Sequence, residues 1–273
     1  AVVAVKMKCN GGYYEDAAKF ADDYAEMKAR KNNGEMVMSI GKKKKFKRAS
    51  VEYKASGAKA IFYRQLLEYK KEKWFIFSYM TLFCIGADIL FLKVIDVSEF
   101  GSKSAVLLGI VAYLAILTGG YLGKWDKELK NPYLFLLPDS PAKKMWYATV
   151  MEHVKAAIDG AILVLPLGIA WKVHPFHMVS CWLIYVFLQA IKLYTKVLID
   201  SFLRNSLGET VKQLVRLGVQ GGIIGIGVLL AVVAVVLQNF NFAFFVILIY
   251  GMIMAVVIGL LTVSRFAIME QYD

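Results

Sequence analysis

The segment "LGVQGGIIGIGVLLAVVAVVL", residues 217–237, decides the fold because it has no charged residue and is apolar except for Gln220. An α-helix rises about 1.5 Å per residue, so about 20 apolar residues cross the roughly 30 Å hydrocarbon core of a bilayer. The chain repeats blocks of this kind from Trp74 onward, and 58% of all its residues are hydrophobic. The sequence therefore predicts an all-α integral membrane protein.

We predict six transmembrane helices and a division of the chain into two parts. Residues 1–73 form a basic segment, and residues 74–273 form the six-span domain, with a loop at about 123–146. The predicted spans lie at about 75–95, 104–122, 147–170, 178–199, 217–237 and 242–263.

The distribution of basic residues predicts the orientation in the membrane. The net charge is +12, and 18 of the 33 lysines and arginines lie between Lys6 and Lys73. One side of the predicted bundle carries 27 basic residues, and the other carries Lys93, Lys103 and Lys172. Because basic loops are retained inside, both ends are predicted to be cytoplasmic, in a multi-pass protein of the plasma membrane.

The basic N-terminal segment has two interpretations that the sequence leaves open. The run "GKKKKFKR", residues 41–48, fits a solvated loop or a contact with anionic lipid headgroups. Nucleic acid is not an expected partner, because no aromatic stacking platform or groove-reading motif accompanies the charge.

A helix at about 58–73 is predicted directly before the first span. Its apolar stripe includes Ile61, Phe62 and Leu66, and Trp74 follows where the span begins. Such an amphipathic helix is expected to lie in the membrane interface and contact lipid. The alternative is a soluble helix that packs this stripe on its own domain.

Two acidic residues lie inside predicted spans, where an ionisable side chain costs roughly 2.5–3.5 kcal/mol. Asp88 is on the first span, and Asp159 is on the third, four residues after Lys155. These carboxylates could make polar contacts between helices, line a wet cavity or relay protons.

No catalytic or cofactor motif can be read from the sequence. The segment "GGYLGKW", residues 119–125, lacks the four-residue spacer and the Ser or Thr of a phosphate-binding loop. The pair in "HPFH", residues 174–177, offers too few ligands for a metal. The chain by itself is therefore not expected to be an enzyme or to bind a cofactor.

The segment "NPYLFLLPDSPAKKMW", residues 131–146, is unusual for a loop on the predicted cytoplasmic side. Its prolines break helical structure, and Pro141 suits the first turn of a helix that continues into the membrane. Its apolar residues Leu134, Phe135, Leu136 and Leu137 need a partner surface, which could be lipid, other loops or another protein.

Part of this segment carries a family resemblance. "LLPDSPAKK", residues 136–144, resembles the Leu-Pro-x-Ser-x-x-Lys/Arg pattern in the permeases of ABC exporters, and the helix at 58–73 is similar to their elbow helix. The chain resembles in particular the ABC exporter permeases of Gram-positive bacteria. The resemblance implies a coupling helix shaped by Leu137, Pro138 and Ser140, with Lys143 and Lys144 at the basic positions.

The same resemblance implies the partners. A cytosolic ATP-binding subunit would hold ATP and Mg and would dock on Leu134–Leu137, with the two lysines at the rim. Such permeases work as two six-span bundles, so we expect a second bundle, either a second copy or the other half of one polypeptide. The opening "AVVAV" looks like the end of a membrane helix and favours the C-terminal half of a longer chain.

We therefore predict the transmembrane half of an ATP-driven exporter, with a substrate that the sequence does not identify. One alternative is a proton-coupled secondary transporter that uses Asp88 and Asp159. The others are a membrane scaffold without transport activity and a membrane-embedded enzyme.

Overall fold

The computed structural model describes most of the chain after residue 56. The described residues are 57–71, 75, 77, 79–95, 97, 102–117, 137–203, 208–237 and 240–272, without the side chains of 79, 80, 209 and 268–272. Within these ranges all regular structure is helical, so the all-α prediction is confirmed. The helices are α1 Lys59–Lys71, α2 Tyr79–Val94, α3 Lys103–Leu117, α4 Pro141–Ala170, α5 Pro175–Phe202, α6 Glu209–Leu237 and α7 Phe240–Tyr272.

Four of these helices are long and apolar enough to cross a membrane: α4, α5, α6 and α7. They contain the third to sixth predicted spans and extend beyond them at one or both ends. Helices α2 and α3 have 16 and 15 residues, fewer than the roughly 20 that a typical span requires. Six spans therefore stay a prediction, and residues 118–122 of the second predicted span lie outside the described residues.

Prolines fix where the two central helices begin. Pro141 and Pro175 occupy the first turns of α4 and α5, where the missing backbone donor costs nothing. The imidazole Nδ1 of His174 accepts a hydrogen bond from the backbone N–H of Phe176 at 3.3 Å and caps α5. Since α4 starts at Pro141 and continues for 30 residues, the end of the loop and the third predicted span form one helix.

Helices α4 and α5 lie at the centre of the bundle and pack against each other. Helices α1 and α2 pack on α4, α3 packs on both central helices, and α6 and α7 pack on α5. One apolar core lies between α3, α4, α5 and the start of α7, and includes Leu107, Leu163, Cys181 and Phe244. A second core lies between α4, α5, α6 and α7 and includes Met145, Tyr194, Ile223 and Ala255.

The apolar stripe of α1 faces α4. Ile61 is buried beside Ala148 and Phe266, while Phe62 and Leu66 are partly buried against the cluster that contains Met151. The apolar stripe of α1 therefore packs against other helices of this chain. An interfacial position for the helix as a whole stays a prediction, and Trp74 lies outside the described residues.

Candidate functional site

The best-defined polar contact near the predicted coupling segment centres on Asp139. Its Oδ2 accepts a hydrogen bond from the backbone N–H of Ala58 at 3.0 Å, and its Oδ1 lies 3.4 Å from Nζ of Lys143. Oδ1 also accepts from the backbone N–H of Ser140 at 3.2 Å. Because Ala58 directly precedes α1, the carboxylate sits at the positive end of that helix. Asp139 thus joins the start of α1 to the start of α4.

Gly57 makes this contact possible for two separate reasons. Its φ of +61° is a left-handed conformation that residues with a Cβ rarely adopt. A Cβ on Gly57 would also lie 2.6 Å from Oδ2 of Asp139. The close approach of backbone and carboxylate therefore requires glycine at this position.

The environment of Asp139 favours its charged form. The hydrogen bond from the Ala58 amide lowers the pKa of this carboxyl below its usual value, and the nearby ammonium of Lys143 lowers that pKa further. The carboxyl group of Asp139 is consequently an anion at neutral pH. Its negative charge interacts favourably with the N-terminus of α1 and with the ammonium of Lys143.

The structure separates the predicted coupling residues into an outer and an inner set. Pro138 and Ser140 are exposed, and the Lys143 side chain is 66% exposed, so a partner can reach all three. Leu137 instead packs partly buried against the cluster of Ala58, Ile61, Ala148 and Phe266 within this chain.

The side chain of Lys144 is buried, although the sequence predicted that it would be exposed at the rim of an interface. It was predicted to meet acidic groups of a partner at the rim of an interface, but it is only 1% exposed. The reason is helical geometry: α4 already includes this residue, and one step along a helix turns the side chain by about 100° away from the outer face. Leu134, Phe135 and Leu136 lie outside the described residues.

Two further hydrogen bonds join α1 to α4. The amide Nε2 of Gln65 donates to the backbone oxygen of Ala148 at 2.8 Å, and the Tyr69 hydroxyl donates to Oε1 of Glu152 at 3.0 Å. Contacts advance in the same direction along both helices, so α1 runs alongside the first turns of α4. We refer to residues 57–69, 137–152 and Phe266 as the junction.

Sequence reasoning missed Asp139, Gly57 and Gln65. Asp139 occupies the unspecified position of the Leu-Pro-x-Ser pattern, and a carboxylate just before a helix is a signal that could have marked it. Its hydrogen bond is to an amide 81 residues away, so no local sequence pattern predicts this contact.

A second group of polar side chains lies inside the bundle, and we call it the polar cluster. Asp159 of α4 accepts a hydrogen bond at 2.6 Å from the hydroxyl of Thr81 on α2. Lys155, one turn before Asp159, interacts with it electrostatically. Cys84 of α2 and Tyr185 of α5 are the neighbouring side chains of this group. All are buried, as is Asp88, the remaining member of the cluster.

The structure thus places Asp159 in a polar contact between helices, and it buries Asp88 on α2. Asp159 has polar partners, whereas Oδ1 of Asp88 is buried without a hydrogen-bond partner among the described residues. No group of three or more His, Cys, Asp or Glu in the described part of the chain could hold a metal ion.

Comparison with known proteins gives one match. A family model described as "Putative ABC exporter" matches residues 1–270 of the chain. No curated protein and no solved structure matches it. The match extends over both the junction and the polar cluster.

Proposed function

Because this chain belongs to the ABC exporter family, we propose that it is the transmembrane component of an ATP-driven exporter. The family match over residues 1–270 is the observation that carries the proposal. Four apolar helices of spanning length agree with a transport protein in a membrane.

The proposal includes a separate ATP-binding subunit, which the family implies in general. The sequence contains no phosphate-binding loop, so ATP and Mg would be held by that subunit. In the proposed complex the chain supplies six membrane spans, has both ends in the cytoplasm and works with a second six-span bundle in the plasma membrane.

In this proposal, the ATP-binding subunit acts on the junction. Its exposed edge consists of Pro138, Ser140 and Lys143, next to residues 134–136 on the same segment. A displacement of these exposed residues is transmitted directly to α4, because α4 begins at Pro141 and continues for 30 residues. The hydrogen bonds of Asp139, Gln65 and Tyr69 transmit the same displacement to α1. Small shifts at packed helices of this kind can drive a change between two bundle arrangements.

The exporter proposal can be tested by purifying the tagged chain from its own membrane and measuring the ATPase activity that accompanies it. We expect Leu136→Ser to remove more of this activity than Lys143→Ala, because buried apolar anchors usually contribute more binding energy than rim charges. Lys143→Ala should chiefly increase the salt sensitivity of the complex, through slower association.

Two variants serve as controls for this experiment. Leu214→Ser makes the same change at an exposed position on α6 and should leave the co-purified ATPase unchanged. Leu137→Ser should instead loosen the junction, since Leu137 packs inside the chain. Absence of any co-purified ATPase from the unaltered chain would contradict the proposed function, and full retention by Leu136→Ser would exclude that residue as a contact.

A further inference from the structure

His177 lies where the starts of three helices meet, at the end of the bundle that is predicted to face outward. The residue is in the first turn of α5, and its Nδ1 is 3.0 Å from Oγ of Ser104 in the first turn of α3. Its Nε2 is 2.9 Å from Oδ1 of Asn241 in the first turn of α7. One imidazole thus joins the starts of α3 and α7 to the start of α5.

Both ring nitrogens of His177 take part in these hydrogen bonds. The side-chain oxygen of Asn241 can only accept, so Nε2 of the imidazole carries a proton and donates it. In the neutral ring Nδ1 then accepts from the hydroxyl of Ser104. The neighbouring His174 bonds within the start of α5 instead, where its Nδ1 accepts from the backbone N–H of Phe176.

The imidazole of His177 also covers one end of the apolar core. Its ring centroid is 4.6 Å from that of Phe244, which is fully buried. Phe244 belongs to the core that lies between α3, α4, α5 and the start of α7. Separation of the three helix starts would therefore expose this end of the core.

The same helices are joined again nearer the opposite end of α5, by groups that are buried. The hydroxyl of Thr262 on α7 donates to the backbone oxygen of Tyr194 on α5 at 3.1 Å, and both residues are buried. The ammonium of Lys192 on α5 donates to the backbone oxygen of Ala115 on α3, a residue that is also buried. We refer to these two hydrogen bonds as the inner contacts.

Access to water distinguishes the contacts of His177 from the inner contacts. Asn241 is exposed, and Ser104 and His177 are partly exposed, so water can satisfy these groups once the helices separate. Breaking the inner contacts would instead leave buried polar groups without partners, which costs the desolvation of each group. The contacts of His177 therefore break at a lower cost than the inner contacts.

We propose that His177, with Ser104 and Asn241, is a latch that holds the outer ends of α3, α5 and α7 together. The outer side of the bundle opens when α3 and α7 turn away from the start of α5 while the inner contacts stay intact. This inference rests on the proposed function, since an exporter has to open its outer side to release a substrate.

Distances between spin labels test the latch in the purified chain, in phosphatidylcholine nanodiscs. In a chain without its native cysteines, labels on Lys103→Cys and Phe242→Cys report the outer distance between α3 and α7. Labels on Leu117→Cys and Ser264→Cys report the inner distance, and all four positions are exposed. We expect His177→Ala to raise the population with a longer outer distance about tenfold, because two hydrogen bonds are lost, and to leave the inner distance unchanged.

Two variants are matched to His177→Ala. His174→Ala removes an imidazole at the same end of the bundle whose hydrogen bond stays within α5, so it should keep the outer distance of the unaltered chain. His177→Gln retains one donor and one acceptor and should restore much of the shorter outer distance.

An outer distance that is the same in His177→Ala and in the unaltered chain would overturn the inference. Equal broadening of the outer and inner distances would overturn it too, since His177 would then be a general structural contact. Should His177→Ala fail to fold, Ser104→Ala and Asn241→Ala each remove one hydrogen bond. Each should lengthen the outer distance in a smaller fraction of molecules, and no change in either would count against the latch.

The same labels connect the latch to the transport cycle. In the complex with its co-purified ATPase, ATP and vanadate should lengthen the outer distance without changing the inner one. An outer distance that stays short while vanadate inhibits the ATPase would contradict an opening at His177. The nanodisc assay contains no ATP-binding subunit, so its outcome is independent of the co-purification experiment.

Discussion

At the scale of single residues, Gly57 and Asp139 depend on each other. The carboxylate of Asp139 can reach the Ala58 amide only because Gly57 has no Cβ and has a φ of +61°. We expect Gly57→Ala to cost about 1–2 kcal/mol from the left-handed backbone alone, and more from the contact with Asp139. Thermal unfolding in detergent should show a lower midpoint.

Gly109→Ala is the matched control for Gly57→Ala. Gly109 lies within α3, and a Cβ there would meet nothing within 4 Å. Alanine in a helix interior is favoured over glycine by roughly 0.5–1 kcal/mol, so this variant should unfold at the same or a slightly higher temperature. Equal midpoints for both variants would contradict the role assigned to Gly57.

The lowered pKa of Asp139 predicts how the junction responds to acid. A carboxyl whose pKa is lower in the folded state stabilises that state above its unfolded pKa of about 4, and this contribution is lost as the pH falls through the folded value. Spin labels on Lys59→Cys and Ala142→Cys should therefore report a fixed distance at pH 7 and a broader distribution near pH 3.

Asp139→Asn separates this titration from general acid unfolding. The amide is neutral at every pH, so in this variant the distance distribution should be broader already at pH 7 and should change less on acidification. A sharp distribution that is identical in both proteins at pH 7 would show that the carboxylate charge does not hold α1 to α4.

At the scale of helices, α4 and α5 approach each other closely at Gly160. A Cβ on this residue would lie 2.6 Å from Cδ1 of Tyr185 and 3.2 Å from Cδ1 of Trp182. The indole N–H of Trp182 donates to the backbone oxygen of Ala157 at 2.8 Å, which fixes that ring. The two central helices therefore cannot accept a larger residue here without moving apart.

We expect Gly160→Ala to cost about 1–3 kcal/mol, the usual range for added volume in a packed core. It should also displace the ring of Tyr185, and with it disturb the polar cluster. Gly222→Ala on α6 is the control, because a Cβ there would meet nothing within 4 Å. Apparent unfolding midpoints of the purified proteins would compare the two, and a drop of equal size in both would refute the close-packing argument.

At the scale of the whole molecule, the number of spans depends on whether α2 and α3 cross the membrane as a pair. Residues 1–73 and the C-terminus are predicted to be cytoplasmic in either case, since α4 to α7 are four helices. The connection between α2 and α3, with Lys103, changes sides: it lies outside if both helices cross, and inside if neither does.

Cysteine labelling in intact cells distinguishes these arrangements. In a chain without its three native cysteines, an impermeant reagent should label Lys103→Cys and Lys172→Cys but not Ser50→Cys. Labelling of Lys172→Cys alone would reduce the bundle to four spans, and labelling of Ser50→Cys would overturn the predicted orientation.

The sequence determined the features that depend on local pattern. Apolar length predicted the membrane class and six spans, four of which are long apolar helices in the described residues, and an apolar stripe predicted the helix before the first span. Proline at position 141 likewise predicted the start of α4.

Only the tertiary structure decided which side chains meet. It buried Lys144, packed the partly buried Leu137 within the chain, joined Asp139 to Ala58, and left one oxygen of Asp88 without a partner among the described residues. These outcomes depend on how α1 and α2 lie on α4, and contacts between residues some 80 positions apart are not encoded in any local period of hydrophobicity. A repeating pattern determines which face of a helix is apolar, but packing against particular neighbours decides what that face touches.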